Sequence, residues 1–348
     1  MALRFFRRIK LAPGLSFNLS KRGASLSVGP PGLKYTVGTS GTRRTVGIPG
    51  TGLYYTEHGG RNGANSTRGG RRPAPAPAPD PAAQLDLGFF KRLFTPEAEK
   101  HFVDGMRHVV EGEDDAAIQT LDTPDAVADA SFMAGMLALR AERYDDALAF
   151  FDRAEAKADE LGDYFDKYGV AAEIRLPITP HISAVIEPGR RGITLARAEA
   201  EQAREHWAAA LAALEALHDS DPADAVVILS LAEILVAEQA NPAAYQRVVE
   251  LTHGIDNNSE LEAAILYWKG RALRQLNLLS AARDALTAAF RRKKDRDPDL
   301  LAAIQYERAL IYEARGKHSR AREEFGRIYA DDPAYKDVAE RIATPASQ

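Results

Sequence analysis

Two hydrophobic rhythms divide this chain. From Leu15 to Tyr55, apolar and polar residues alternate. Leu15, Phe17, Leu19, Leu26, Val28, Leu33, Tyr35, Val37, Val46, Ile48, Leu53 and Tyr55 fall on one side, and Ser16, Asn18, Ser25, Ser27, Lys34, Thr36, Arg43 and Thr45 on the other. A period of two gives a strand one apolar and one polar face. Glycines at 14, 23, 32, 41, 50 and 59 punctuate the stretch every nine residues, and Gly29, Gly38 and Gly47 each follow a valine. Each nonapeptide therefore supplies a short strand and a glycine-containing turn. The pattern predicts a five-stranded antiparallel meander, with Arg44 breaking the apolar side at an edge. One apolar face on about fifty residues is a marginal core. Phe5, Phe6, Ile9 and Leu11, a second copy or the helical body is expected to cover it.

From about residue 96 the period becomes helical, and Ala, Leu, Glu and Arg dominate. The clearest unit is 128–161. Gly135 marks a close approach of two helices, and Tyr144, Ala147, Phe151 and Ala154 follow at small–aromatic–small spacing. The template can be laid down six times, with Gly105 and Leu121, Ala210 and Leu214, Ala232 and Ala244, Gly270 and Leu286, and Ala321 and Phe325 marking the others. One stretch departs from it. Residues 170–192 alternate with period two, and Pro177, Pro180 and Pro188 exclude a regular helix there. An extended, hairpin-like insertion between the second and third units is expected, serving either as a functional loop or as filling that stabilises the array.

The segments Phe6-Arg7-Arg8, Asn18-Leu19-Ser20-Lys21, Ser27-Val28-Gly29, Thr45-Val46-Gly47 and Pro49-Gly50-Thr51-Gly52-Leu53 with Tyr55 resemble a bacterial amino-terminal family known as domain of unknown function 4236. The resemblance covers residues 3–57 and implies no activity, since the family has none established. The helical units resemble the tetratricopeptide repeat of about 34 residues. The fold class is therefore multi-domain: a small all-β antiparallel meander, then an all-α helical-hairpin solenoid over residues 96–341. Arrays of this kind generally bind peptides or helices of partner proteins, and the resemblance implies the same here.

Between the two lies a linker, residues 58–84, rich in Gly, Asn, Ser and Arg and then in alternating Ala-Pro. Such composition gives a flexible piece followed by a stiffer spacer. Charge divides at the same place. The formal net charge of −4 conceals +11 on residues 1–80 and −15 on the remainder, so the two parts are suited to different partners or to each other. The absence of cysteine excludes disulfides and thiolate metal sites and fits a reducing cytoplasm. The first residues lack the apolar core of a secretory signal, and no stretch is long and apolar enough to span a bilayer. The Ala- and Arg-rich usage suggests a high-GC bacterium.

Candidate chemistry is sparse. Gly47-Ile-Pro-Gly-Thr-Gly52 is followed by Leu53 and by β-type sequence, which excludes a P-loop and a dinucleotide fingerprint. Arg4, Arg7, Arg8, Lys10, Lys34 and Arg43 are the candidates for contact with phosphates of nucleic acid or anionic lipid, the alternative being a solvated sheet face that discourages edge pairing. Arg175, His181, Arg190 and Arg191 are the polar candidates of the insertion. His101, Asp104 and His108 share a helix face but occupy packing positions, so no metal ligand set is assigned. No paired carboxylates in an apolar setting and no Gly-x-Ser-x-Gly motif mark a catalytic centre, and no cofactor is implied. The expected function is a non-enzymatic scaffold that binds proteins through its helical array, with the basic β module as a second binding unit. The alternative is a nucleic-acid- or envelope-associated protein reading its ligand through residues 1–72. Folding of the +11 head onto the −15 body is a third possibility.

Overall fold

The structure, a computed structural model, describes residues 6–10, 15–20, 23–28, 33–38, 41–47, 54–59, 95–168, 174–179, 182–294 and 296–343. Two compact units comprise Met1–Pro177 with Ala184–Glu205, and Ile178–Ser183 with His206–Gln348.

Six strands open the first unit: β1 Phe6–Lys10, β2 Leu15–Ser20, β3 Gly23–Val28, β4 Leu33–Gly38, β5 Gly41–Gly47 and β6 Tyr54–Gly59. They pair in sequence order, each antiparallel to the next. Five strands were expected from the alternation, and β1 is the additional one. The register aligns Phe17 with Ile9 and Leu26, Val37 with Leu26, and Val46 with Leu33 and Tyr55. Arg44 does not stand at an edge. It lies on β5 between β4 and β6, opposite Tyr35 on one side and Glu57 on the other. Ile48, Leu53 and residues 60–94, which hold most of the expected linker, lie outside the described residues.

The helical part of the first unit holds α1 Glu97–Glu111, α2 Asp114–Leu121, α3 Ala128–Arg140, α4 Tyr144–Ala156, α5 Asp163–Lys167 and α6 Arg190–Ala203. A two-stranded hairpin, β7 Ile174–Pro177 and β8 Ser183–Ile186, precedes α6. The second unit holds α7 Trp207–Ser220, α8 Ala225–Ile234, α9 Pro242–Leu251, α10 Glu260–Gln275, α11 Leu279–Phe290, α12 Pro298–Ala314, α13 His318–Asp331 and α14 Val338–Ala343. Helix α8 runs on into a π turn, Leu235–Gln239. No helix among the described residues is long and apolar enough to cross a membrane.

One backbone device recurs six times. Gly112, Glu142, Glu205, Ala240, Asn277 and Gly316 all have φ between 46° and 81°, and each stands two residues before a helix begins. In four of these turns the next amide donates to the carbonyl five residues earlier: Glu113 to His108, Arg143 to Ala138, Leu278 to Leu273 and Lys317 to Tyr312, at 2.8–2.9 Å. This is the Schellman closure of a helix end. It reverses the chain at once, so α2, α4, α7, α11 and α13 begin without a side-chain cap. Three of the helices that do not follow such a turn start with a side-chain cap. Asp224 caps α8, Ser259 and Glu262 form a capping box on α10, and Asp297 caps α12 just before Pro298. The left-handed region costs a non-glycine residue about 1–2 kcal/mol, and only two of the six turns carry glycine. Glu142→Gly is expected to raise stability by about 0.5–1 kcal/mol, after the entropic cost of glycine, seen as a higher urea midpoint.

Helix pairs close on glycine. A Cβ at Gly105, Gly135 or Gly270 would lie 2.5 Å from the side chain of Leu121, Phe151 or Leu286, respectively. In each case a bulky residue of the second helix fills the space a first-helix side chain would need. Around these contacts sit Phe102, Phe132, Met133, Met136 and Phe165 in the first unit, all fully buried. Tyr306, Phe325, Ile328 and Val338 form the end of the core in the second.

Sixty-three residues separate the turn at Glu142 from that at Glu205, whereas the other neighbouring turns are 30–39 apart. The excess holds a 3-10 turn at Ala158–Glu160, α5 and the hairpin. Leu176, Ile178, Ile182, Ala184 and Ile186 are buried, whereas Val185 is exposed. Helix α6 then docks on α4 through charges spaced seven residues apart. Arg190 pairs with Asp159 at 2.9 Å and Glu155 at 2.8 Å, Arg197 pairs with Asp152, and Arg204 pairs with Asp145 at 2.9 Å.

Candidate partner-binding surfaces

The basic candidates of the β module do not share one face. Antiparallel register puts Arg8 opposite Asn18, Lys10 opposite Ser16, Lys34 opposite Thr45, and Arg43 opposite Thr36 and His58. These four positions therefore fall on the hydroxyl-bearing face. Arg7 pairs with Leu19 and falls on the other, and Arg4 lies outside the described residues. In the insertion, Arg175 is on β7 and His181 lies outside the described residues. Arg190 and Arg191 belong to the first turn of α6 rather than to the hairpin, and the Arg190 guanidinium is engaged by Glu155 and Asp159.

Of His101, Asp104 and His108, which share a face of α1, His108 alone joins a cluster of possible ligand groups among the described residues. The His108 Nδ1 lies 2.7 Å from Glu113 and 3.9 Å from Glu111, because the turn at Gly112 folds Glu113 back over α1. Asp104 pairs instead with Arg107 at 3.7 Å. Among the described residues this exposed trio is the one group close enough to share an ion. As it stands, it is a helix-end contact between an imidazole and two carboxylates.

Two buried carboxylates organise α5. Asp129 on α3 accepts the amides of Gly162 at 3.1 Å and Phe165 at 3.4 Å. Burial pushes its carboxyl up to about 6, against the opposing pull of those amides. Glu99 on α1 accepts the Tyr168 hydroxyl at 2.5 Å and pairs with Lys167 at 2.7 Å. Phe102 meets the Phe165 ring edge-on at 5.6 Å. These groups hold the excursion in place and offer no reacting geometry.

The second unit carries a surface that the sequence pattern did not reveal. Arg271 and Arg274 stand one turn apart on α10 and approach Glu307 of α12, Arg274 at 2.9 Å and Arg271 at 3.6 Å. The Arg271 guanidinium lies 4.5 Å over the Trp268 ring, and Trp268 meets Tyr267 edge-on at 5.2 Å. Beyond α13, the Lys336 ammonium lies 4.3 Å over Tyr306 and 5.3 Å from Tyr335. The Tyr306 hydroxyl donates to Asp337 at 2.5 Å, and Arg341 donates to the same carboxylate at 2.9 Å. Burial alone would raise Asp337, but these two partners hold it below the usual carboxylate range. Burial pushes the Tyr267 phenol up to about 12 and raises that of Tyr335 as well. Lys336 is exposed, and its pKa is lowered by desolvation against the opposing pull of Glu307. The signal that could have located this surface is the Tyr-Trp pair followed by arginines three residues apart, which reads equally well as core and solvated face.

No curated protein matches the sequence. Among solved structures, the N-terminal domain of the EccA1 ATPase from the ESX-1 secretion system of Mycobacterium tuberculosis shares the helical fold. It is 18% identical, with 72% of this chain and 90% of that chain covered and a TM-score of 0.52. A thermophilic TPR protein of Thermus thermophilus is 15% identical, covering 62% of this chain and 97% of its own, with a TM-score of 0.38. The helical part thus shares its fold, helices paired as antiparallel hairpins, with that EccA1 domain, and residues 3–56 match the family described as protein of unknown function (DUF4236).

Proposed function

We propose that this chain is a non-enzymatic adaptor, which binds a partner protein through its helical hairpins and uses the basic β module as a second, weaker binding unit. The observation that carries the reading is the aromatic and cationic surface of α10, α12 and the residues after α13. Arg, Tyr and Trp are the residue types that dominate binding energy at protein interfaces. Helical-hairpin arrays present such surfaces on rigid elements. Two tethered sites on one partner or assembly gain avidity without new contacts. The cytoplasm is the compartment that the cysteine-free composition fits.

The second reading, anion recognition by the head, is favoured by the face shared by Arg8, Lys10, Lys34 and Arg43. Capture from nuclease-treated lysate by the immobilised full chain separates the two. The adaptor reading expects a discrete protein to survive nuclease and to be retained, though more weakly, by a variant carrying glutamate at those four positions. Capture that disappears with nuclease, or with the four substitutions, assigns recognition to the head instead.

A further inference from the structure

We propose that the turn after α11 binds the phosphate backbone of a nucleic acid through Arg291, Arg292, Lys293 and Lys294. The site goes beyond the adaptor reading and does not depend on it. Residues 291–296 hold five cations in six positions, and the four consecutive ones are exposed. None of the five pairs with a described carboxylate, and Asp295 lies outside the described residues. Elsewhere the chain matches arginines to carboxylates, as at Arg190, Arg197 and Arg204. At this turn the neighbouring carboxylates are committed to backbone amides. Asp297 accepts those of Asp299 at 2.8 Å and Leu300 at 3.0 Å, and Glu260 accepts that of Asp297. The turn is also braced from behind. Asn257 donates to the carbonyls of Ala288 at 2.7 Å and Ala289 at 2.8 Å, tying the end of α11 to the segment before α10. The side-chain oxygen of Asn257 accepts from Arg296 at 3.3 Å, and that of Asn258 from Arg292 at 3.5 Å.

The dipole of α11 accounts for one cation at its last turn, not for the three that follow. Nucleic acid is the ligand that charge alone can hold. Its phosphates repeat at short intervals, and neutralising each one releases a condensed counterion. Arginine forks and lysine ammoniums make such contacts without reading bases. An acidic peptide would draw its affinity from a large side chain anchored in the surface. Among the described residues the exposed large apolar side chains are Val185, Leu278 and Tyr329, none of them in this turn. The turn therefore presents charge without an apolar anchor, for a peptide or for a bilayer.

The test uses the full-length chain with Arg8→Glu, Lys10→Glu, Lys34→Glu and Arg43→Glu, so that the head attracts no phosphate. Its binding to a fluorescein-labelled random-sequence DNA duplex is followed by anisotropy as salt is raised. Binding is expected at low salt, with a log–log slope of about −3 to −4, about 0.9 for each phosphate neutralised. Adding Arg292→Gln, Lys293→Gln and Lys294→Gln should weaken it by about tenfold or more and flatten the slope by about 3. Lys293→Gln with Lys294→Gln is the milder variant, with a change in slope of about 2. Lys317→Gln, Arg320→Gln and Arg322→Gln remove the same charge from exposed positions at the start of α13 and should leave the slope unchanged. Three outcomes overturn the proposal: no duplex binding at low salt, equal losses in the two triple variants, or binding to phosphatidylglycerol vesicles with none to DNA. A protein partner retained after nuclease by a chain that binds no duplex leaves the adaptor reading standing and removes this one.

Discussion

Gly135→Leu is expected to destabilise the first unit by about 3 kcal/mol, the upper range for forcing volume into a packed core. A Cβ at this position meets the Phe151 ring at 2.5 Å and 2.7 Å. Both residues are buried at the crossing of α3 and α4, where Phe132, 6.4 Å from Phe151, closes the other side. The helix gains about 1 kcal/mol of intrinsic propensity when glycine is replaced, so the measured loss is a lower bound on the steric cost. Gly135→Ala should lose about 1–2 kcal/mol by the same reasoning. Combining it with Phe151→Leu tests the cause. If ring contact is the origin, the double variant is more stable than the sum of the single changes predicts. Additive losses in urea unfolding would assign the glycine a different role.

Asp129→Ala should cost about 3 kcal/mol at pH 5, because it strands the amides of Gly162 and Phe165 in a buried setting. The cost should shrink as pH rises. The carboxyl titrates at about 6 in the folded chain against an ordinary 3.8, so between these values the folded state holds a proton that the unfolded state has released. Stability of the native chain therefore falls as pH climbs from about 4 to above 6, by at most about 3 kcal/mol for a shift of this size. Asp129→Asn keeps an acceptor oxygen and cannot ionise. Its unfolding free energy should match the native chain below about pH 4 and exceed it at pH 7.5. Parallel pH profiles for the two proteins would show that Asp129 carries no such burden.

How far these features were legible follows from where their information is stored. Gly105, Gly135 and Gly270 sit sixteen residues before Leu121, Phe151 and Leu286, a spacing that composition and period expose directly. The hairpin turns were hidden, since Glu142, Glu205, Ala240 and Asn277 adopt the left-handed conformation only because the packed helices on either side require it. Local preference alone does not announce a turn at glutamate or alanine. Arg190 falls to the insertion in the sequence because the proline-interrupted stretch, with Pro188 two residues before it, runs on to residue 192. Its partners lie 31 and 35 residues earlier and become visible only when α4 and α6 are known to be neighbours. The surface of Arg271, Arg274 and Lys336 escaped for the same reason. It joins two helices and a later segment, and each contribution alone is an ordinary solvated cation.

The charge ladder between α4 and α6 bears on how such a chain changes over generations. Arg190, Arg197 and Arg204 meet Asp159, Asp152 and Asp145 in antiparallel order, so the phase of α6 is set across the interface and not by the length of chain that joins the two helices. Doubling such a connection costs only about 0.6 kcal/mol in closure entropy. Residues 169–189, which lie beyond Asp159 and the α5 contacts of Asp129 and Glu99, are therefore a cassette. Recombination can lengthen, shorten or replace them while the hairpins on either side keep their pairing, and inherited novelty in this chain has a ready place to accumulate.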